Sequence, residues 1–236
     1  MKPLVSIVVP TTGKEPALSK CLEALRNSLY DNIEIIIVNE GRERSYQRNF
    51  GIKRAKGDYI LYLDSDQYVT PELIGECVSL TKWWRTAIYI PERIITKGFF
   101  GYLRNWERQF YTSTPIDCVR FFKREGCPLF DETLNGPEDA DHDRRVKGAR
   151  ATTMNYLEHE DNVTLISFLK KKAYYSKSMA RYEDKNPNDK CLNWWWRCFG
   201  VFFEKGKWKK VIQRPDLYIL VMILILTRGI IYLKNK

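Results

Sequence analysis

Asp64 and Asp66, with Ser65 between them, follow directly on the apolar run YILYL at 59–63. An Asp-x-Asp at a strand end presents hard oxygen donors. That is the chemistry of a Mg²⁺ or Mn²⁺ site that keeps waters and takes phosphate oxygens as further ligands. The same residues also suit a turn that caps the next helix, and spacing alone leaves both readings open. A second acidic feature is Gly136-Pro137-Glu138-Asp139-Ala140-Asp141-His142-Asp143-Arg144-Arg145. Here a turn feeds a helix start, from which a carboxylate can reach a pocket as a general base. A solvated helix start favoured by the macrodipole accounts for the same residues. His159, one of only two histidines, is flanked by Glu158 and Glu160 and is either a metal ligand or a core-edge histidine. Finally, the segment Arg42–Asn49 brings three arginines to a helix start, where they can grip a phosphate or form a solvated face.

The elements that must position these groups alternate. Leu4–Pro10, Ile33–Val38, Tyr59–Leu63 and Ala87–Ile90 read as strands, apolar without strict alternation. Pro16–Leu29, Ser45–Lys56 and Pro71–Lys82 read as the helices between them. That order predicts an α/β, mostly parallel sheet covered on both faces. Ligands in such sheets bind beyond the C-terminal strand ends, where Thr11-Thr12, Asn39-Glu40 and Asp64-Ser65-Asp66 stand. Further on, Phe99–Tyr111 is predicted as an aromatic helix or lid and Val119–Lys123 as a strand. A short helix is expected over Asp139–Lys147, a strand over Ala151–Leu157 ending at Glu158-His159-Glu160, and a basic helix over Thr164–Met179. No Walker loop and no G-x-G-x-x-G follows the first strand, so ATPase and dinucleotide chemistry have no motif here.

The 236 residues fit one large domain, or one domain with a tail, and the 44% apolar and 29% charged composition excludes disordered and disulfide-scaffold classes. The net charge of +10 is uneven. Residues 1–169 carry net −1 and residues 170–236 net +11, with four of the seven tryptophans (Trp194, Trp195, Trp196, Trp208) in the second part. Leu217–Leu233 is a 17-residue apolar stretch interrupted by Thr227, Arg228 and Gly229. A spanning helix needs about 20 apolar residues, and Arg228 would have to snorkel. Basic charge, tryptophan and an apolar segment together point to a membrane surface rather than to nucleic acid. A core or dimer helix is the other reading of Leu217–Leu233. Six cysteines without a CxxC pair, and Met1-Lys2-Pro3 running straight into a strand, suggest a reducing, cytosolic setting with free thiols.

The stretches VSIVVPTTGK, IEIIIVNEG, QRNFGIKRAKGDYILYLDSDQYVTPELI, GPEDADHDRR and YLEHE together resemble a family 2 glycosyltransferase of the GT-A fold, over roughly residues 4–160. The later LKKKAYYSKSMARYEDKNP is similar to the segment that follows the catalytic domain in membrane-associated members, which build lipid-linked saccharides or surface polysaccharides. The resemblance implies a GT-A, nucleotide-diphospho-sugar transferase fold, Rossmann-like, with a helical membrane-associated tail. It implies that Pro10, Thr11, Thr12, Asn39 and Glu40 surround the nucleoside base. Arg48 would lie near the base or diphosphate, and Asp64 and Ser65 at the ribose and metal shell. Asp66, with Asp64 and His159, would hold a divalent metal, Mn²⁺ or Mg²⁺, and Asp139 would be the catalytic base. One departure stands out. Family members usually end the second strand in Asp-Asp-Gly-Ser, where this chain has Asn39-Glu40-Gly41-Arg42.

The resulting expectation is an inverting, metal-dependent glycosyltransferase at the cytosolic membrane face. A UDP- or GDP-sugar would be the donor and a lipid-linked or polysaccharide hydroxyl the acceptor. Residues 1–165 would be catalytic, 166–212 a membrane-surface region and 213–236 an apolar anchor helix. A polyprenyl-phosphate sugar synthase of the same fold is the near alternative, and a basic nucleic-acid-binding protein the distant one.

Overall fold

The computed structural model describes residues 2–13, 16–81, 85–161 and 164–235. Its main sheet has six strands in the order β2-β1-β3-β7-β5-β8. These are β1 (Val5–Pro10), β2 (Ile33–Val38), β3 (Tyr59–Tyr62), β5 (Arg85–Tyr89), β7 (Phe121–Lys123) and β8 (Ala149–Thr152). β2, β1 and β3 pair parallel, and β7 alone runs against its neighbours β3 and β5. A second sheet joins β4 (Gln67–Val69), β9 (Leu157–Glu160) and β6 (Glu92–Ile95) in that order.

Side-chain alternation sends the strand residues to two cores. Val5, Ile7, Val9, Leu61, Leu63, Ile88 and Phe121 pack under α1 (Ala17–Arg26) and α3 (Leu73–Leu80). Val8, Ile60, Tyr62, Ala87, Tyr89 and Phe122 face α2 (Arg44–Arg54) and the loop carrying Phe130. With both faces covered, these strands have no polar side to show, which is why they read as continuous apolar runs. Gly57 permits the tight return into β3. A Cβ there would lie 2.7 Å from both the Leu4 carbonyl oxygen and the Ser6 amide nitrogen.

The remaining helices are α4 (Gly98–Arg108), α5 (Glu138–Arg145), α6 (Leu165–Ser176), α7 (Met179–Lys185), α8 (Val201–Phe203), α9 (Trp208–Gln213) and α10 (Pro215–Asn235). A third apolar core joins α4 to the tail through Leu103, Trp106, Phe110, Trp196, Phe202, Leu217 and Val221.

Three expectations are corrected. The strand expected over Ala151–Leu157 is two strands in different sheets, because the chain turns over at 153–156. His159, expected at the end of a strand, is the last residue but one of β9. The helix expected over Thr164–Met179 ends at Ser176, and a new helix starts at Met179. Arg228 does not snorkel: it turns inward onto the fully buried Glu107 of α4. The last residue of the helix expected over Pro71–Lys82 lies outside the described residues. All six cysteines are free, and five are buried.

Candidate active site

The register of the parallel strands sets the site. Pro10 pairs with Val38, and Val8 with Tyr62, so Thr11-Thr12, Asn39-Glu40 and Leu63-Asp64 leave the sheet at one edge. Thr11 is fixed there: its amide donates to the Val38 carbonyl (2.9 Å) and its own carbonyl accepts from the Gln47 side chain (2.9 Å). Asn39 and Glu40 are exposed, and the Glu40 carboxylate faces Arg54 of α2 at 3.8 Å. Ser65 is buried in the turn after Asp64.

Arg48 is the centre of the constellation. It projects from α2 and is fully buried, with its guanidinium 4.6 Å from the Tyr62 ring centre and 5.2 Å from that of Phe130. One terminal nitrogen donates to Asp64 Oδ1 at 2.9 Å and the other to Asp139 Oδ1 at 2.5 Å. A single guanidinium thus bridges the end of β3 to the start of α5. Tyr62 also donates to Asp139 Oδ1, at 3.4 Å. Arg44, four residues earlier and therefore on the same helix face, bonds Glu138 at 3.1 Å and approaches Asp64 at 3.6 Å. Burial disfavours a charged Asp64, but Arg48, Arg44 and Arg120 outweigh it and hold the carboxyl well below the usual carboxylate range. Glu138 moves the other way, because burial and the neighbouring Asp139 raise its pKa.

The second cluster depends on the small sheet. In β9 His159 stands opposite Gln67 of β4 and Ile94 of β6. That register puts His159, Gln67 and Glu92 on one face. His159 Nε2 lies 3.4 Å from Asp66 Oδ2, and its Nδ1 lies 2.6 Å from Glu92 Oε1. Glu92 also accepts from Arg108 (2.9 Å) and Arg120 (3.2 Å). Burial works against a charged imidazole, yet the bonds to Asp66 and Glu92 push the His159 pKa up to about 10. Asp66 Oδ1 is buried without a hydrogen-bond partner. Such an orphaned oxygen beside an oriented imidazole fits a cation position, with Glu92 fixing the ring from behind. Among the described residues no three His, Cys, Asp or Glu side chains converge on one point. Asp66 and His159 are the two side chains on offer, His159 only where the cation displaces its Nε2 proton. A hard cation held by one or two side chains completes its shell with waters and substrate phosphate oxygens.

The structure thus gathers Arg48, Asp64 and Asp139 in one cluster and Asp66 with His159 in another, while Asn39 and Glu40 remain at the rim. Sequence reasoning passed over Glu92, Arg120, Gln67 and Tyr62. It named Glu138 and Arg44 only as members of longer runs. The other histidine, His142, is a core residue. It stacks on Phe130 with ring centres 4.0 Å apart, and burial pushes its pKa down to about 4.

The first three strands of this mostly parallel α/β sheet end at Thr11-Thr12, Asn39-Glu40 and Asp64, with Arg44 and Arg48 of α2 set against Asp64, an arrangement that fits a nucleotide-diphospho-sugar transferase fold. Residues 6–47 and 40–125 match the family described as Glycosyl transferase family 2. The chain belongs to that family. It is 33% identical over 96 residues to the putative glycosyltransferase EpsH of Bacillus subtilis (strain 168), a stretch covering 30% of this chain and 28% of EpsH. With the uncharacterized glycosyltransferase YwdF of the same organism it shares 25% identity over 227 residues, 75% of this chain and 84% of that protein. The fold is that of the mannosyltransferase PcManGT from Pyrobaculum calidifontis, solved in complex with GDP-Man and Mn²⁺. The TM-score is 0.65 at 13% identity, over all of this chain and 87% of that one.

Proposed function

We propose that the protein transfers a sugar, with inversion, from a UDP- or GDP-sugar to a hydroxyl of a lipid-linked glycan or polysaccharide at the cytosolic membrane face. The observation that carries this reading is the Arg48 bridge between Asp64 and Asp139, with Asp66 and His159 beside it. The base would lie against Thr11-Thr12 and Asn39-Glu40 at the strand ends. Arg44, a third exposed, is placed to meet the donor diphosphate, and Arg48 behind it positions rather than contacts. Asp66 and His159 would hold a divalent cation, Mn²⁺ or Mg²⁺, which when bound neutralises charge on the departing diphosphate.

Both bonds to Asp139 fall on Oδ1, which leaves Oδ2 for an acceptor hydroxyl. Asp139 takes the hydroxyl proton as that oxygen bonds the anomeric carbon from the face opposite the diphosphate. The bond from the anomeric carbon to the diphosphate oxygen breaks in the same step, and one in-line displacement inverts the centre. An ionised phosphate acceptor would need no base, so the placement of Asp139 supports a hydroxyl acceptor. On this reading residues 1–165 carry the chemistry and 166–236 bring the enzyme to its membrane-borne acceptor.

The test is nucleotide release by the full chain in detergent, against UDP-, GDP- and dTDP-sugars with Mn²⁺ or Mg²⁺, beside Asp66→Ala. Metal-dependent release from one donor, abolished in the variant, is the expected result. Absence of both release and calorimetric nucleotide binding would end the transferase reading. Transfer to bare polyprenyl phosphate that survives Asp139→Asn would replace the hydroxyl acceptor by a phosphate one.

A further inference from the structure

Helix α10 has 21 residues and a mean hydropathy of 2.0 over its most apolar window, enough by length and composition to cross a bilayer. Its packing points elsewhere. Leu217, Val221, Leu224 and Ile225 are buried against the domain, and Arg228 lies on the same face. Ile219, Ile223, Leu226, Ile230 and Leu233 are exposed. At 100° per residue these five fall in a stripe about 80° wide and about 21 Å long, opposite Arg228. The helix is therefore apolar on two faces, and only one of them is covered by protein.

It is also tied down from end to end. Arg214, just before it, donates to the Tyr102 hydroxyl of α4 at 2.7 Å. Tyr218 donates to the Cys198 carbonyl at 3.0 Å, Arg228 bonds Glu107 at 2.5 Å, and Tyr232 bonds Glu183 of α7. Glu107 is fully buried and also holds Arg104 and Tyr111. α10 runs along α6 as well as α4, and α6 exposes Lys170 and Lys171. A helix standing across the bilayer would carry those lysines into hydrocarbon, where charged side chains are strongly disfavoured.

The surroundings indicate what covers the free stripe. Trp194, Trp195, Phe199, Phe203 and Trp208 are exposed, and Phe203 packs on Tyr218 of α10 with ring centres 5.8 Å apart. An open cleft of about 560 Å³ between Trp195, Trp196 and Phe199 belongs to the same region, away from the catalytic cluster. Exposed Lys205, Lys209 and Lys210 lie among these rings in sequence. Interfacial tryptophans and lysines suit the headgroup layer of an anionic leaflet. The 4-3-4-3 spacing of the stripe would also suit a coiled-coil seam. Such a seam in water is flanked by charged positions, whereas Arg228 is the only charged residue in 217–233 and faces inward.

We propose that α10 is an in-plane docking helix, locked to the domain by Arg228–Glu107, that beds its Ile219–Leu233 stripe into one leaflet of an anionic bilayer without crossing it. This deepens the membrane reading above and is independent of the donor chemistry, because none of its tests contains a nucleotide. Asn235→Cys in the full chain, expressed in bacterial cells, would be labelled by a membrane-impermeant maleimide in inside-out vesicles and not in spheroplasts. The parent chain sets the background. Labelling from the spheroplast side overturns the proposal. Ile219→Glu and Ile230→Glu lie on the exposed stripe and leave the fold intact. Each is expected to weaken binding to phosphatidylcholine–phosphatidylglycerol vesicles by about tenfold or more, with Tm unchanged. Unchanged vesicle binding overturns the proposal. So does a lipid-free dimer of the parent chain that these variants dissociate, which would make the stripe a seam between two copies.

Discussion

Replacing Arg48 by Met tests whether one buried guanidinium organises the catalytic cluster. Methionine keeps the stem and much of the contact with Tyr62 and Phe130 while removing the charge. Three carboxylates lose their shared partner: Asp64 at 2.9 Å, Asp139 at 2.5 Å and Glu138 at 3.7 Å. Arg44, a third exposed, remains for Asp64 and Glu138, Arg120 still acts on Asp64 from further off, and Asp139 keeps only the Tyr62 hydroxyl. Removing one side of a buried ion pair typically destabilises by about 3–5 kcal/mol. For a chain of this size about 1 kcal/mol shifts Tm by roughly 2–4 °C, so the expected fall is about 6–20 °C at pH 7.

The pH dependence has a definite sign. The folded-state pKa of Asp64 lies below its unfolded value. Its ionisation therefore contributes stability above about pH 4, and that contribution is lost as pH falls through the folded pKa. Without Arg48 burial raises the pKa of Asp64 and raises that of Glu138 further, so the gap between variant and parent should be widest near pH 7 and shrink towards pH 4. Circular-dichroism melts at both pH values measure it. A variant that melts within about 2 °C of the parent at pH 7, or a gap that does not narrow in acid, would refute the argument.

Asp66→Asn should cut metal-dependent nucleotide release by about 100-fold or more while lowering Tm by no more than a few degrees, since Asp66 Oδ1 has no protein partner to lose and only the 3.4 Å pair of Oδ2 with His159 is weakened. Asp139→Asn should lower kcat for transfer by about 10²–10⁴ with the donor Kd unchanged, as calorimetry would show, because the lost proton acceptor acts on the other substrate. Gly57→Ala should destabilise by about 1–3 kcal/mol in urea melts, because its Cβ would strike backbone atoms of Leu4 and Ser6 that cannot move without shifting β1. Arg120→Met should lower Tm and also weaken metal activation, read as a higher metal concentration for half-maximal nucleotide release, because Arg120 holds both Gln67 and Glu92.

The first half of the fold was legible because β1 and β3 are buried on both faces and the half-exposed edge strand β2 is still rich in isoleucine. Ile33–Val38 is apolar enough to be read at its observed ends, and Gly57 marks the return into Tyr59–Tyr62. The small sheet was not legible. β4 is three residues long, and β6 carries Glu92 and Arg93, so neither shows a two-residue period. Their existence depends on β9 filling the space between them, a pairing some 65 to 90 residues away in sequence that no local pattern encodes. Glu92 consequently carried no local signal and went unnamed. For Arg48 a signal was present: Arg44, Ser45, Gln47, Arg48 and Asn49 put polar groups on most sides of a helix that must pack on an apolar sheet. A helix that buries Ser45, Gln47, Arg48 and Asn49 is bound to have partners for them.

Those partners explain why the site needs a reversed strand. β7 runs against β3 and β5, so its beginning lies at their C-terminal ends, and Arg120 arrives next to Tyr62. From there Arg120 bonds Gln67 at 3.1 Å and Glu92 at 3.2 Å, and its guanidinium lies 5.5 Å from the Tyr62 ring centre. Tyr62 in turn touches Asp139, and Glu92 orients His159 towards Asp66. A continuous chain of contacts thus joins the candidate base to the candidate cation ligand through largely buried side chains. A parallel strand in the place of β7 would begin at the opposite sheet edge, and its first residues could reach neither cluster. The carboxylates alone would still sit at the strand ends, but nothing would hold Asp139 and His159 at a fixed separation, and an in-line displacement depends on that separation.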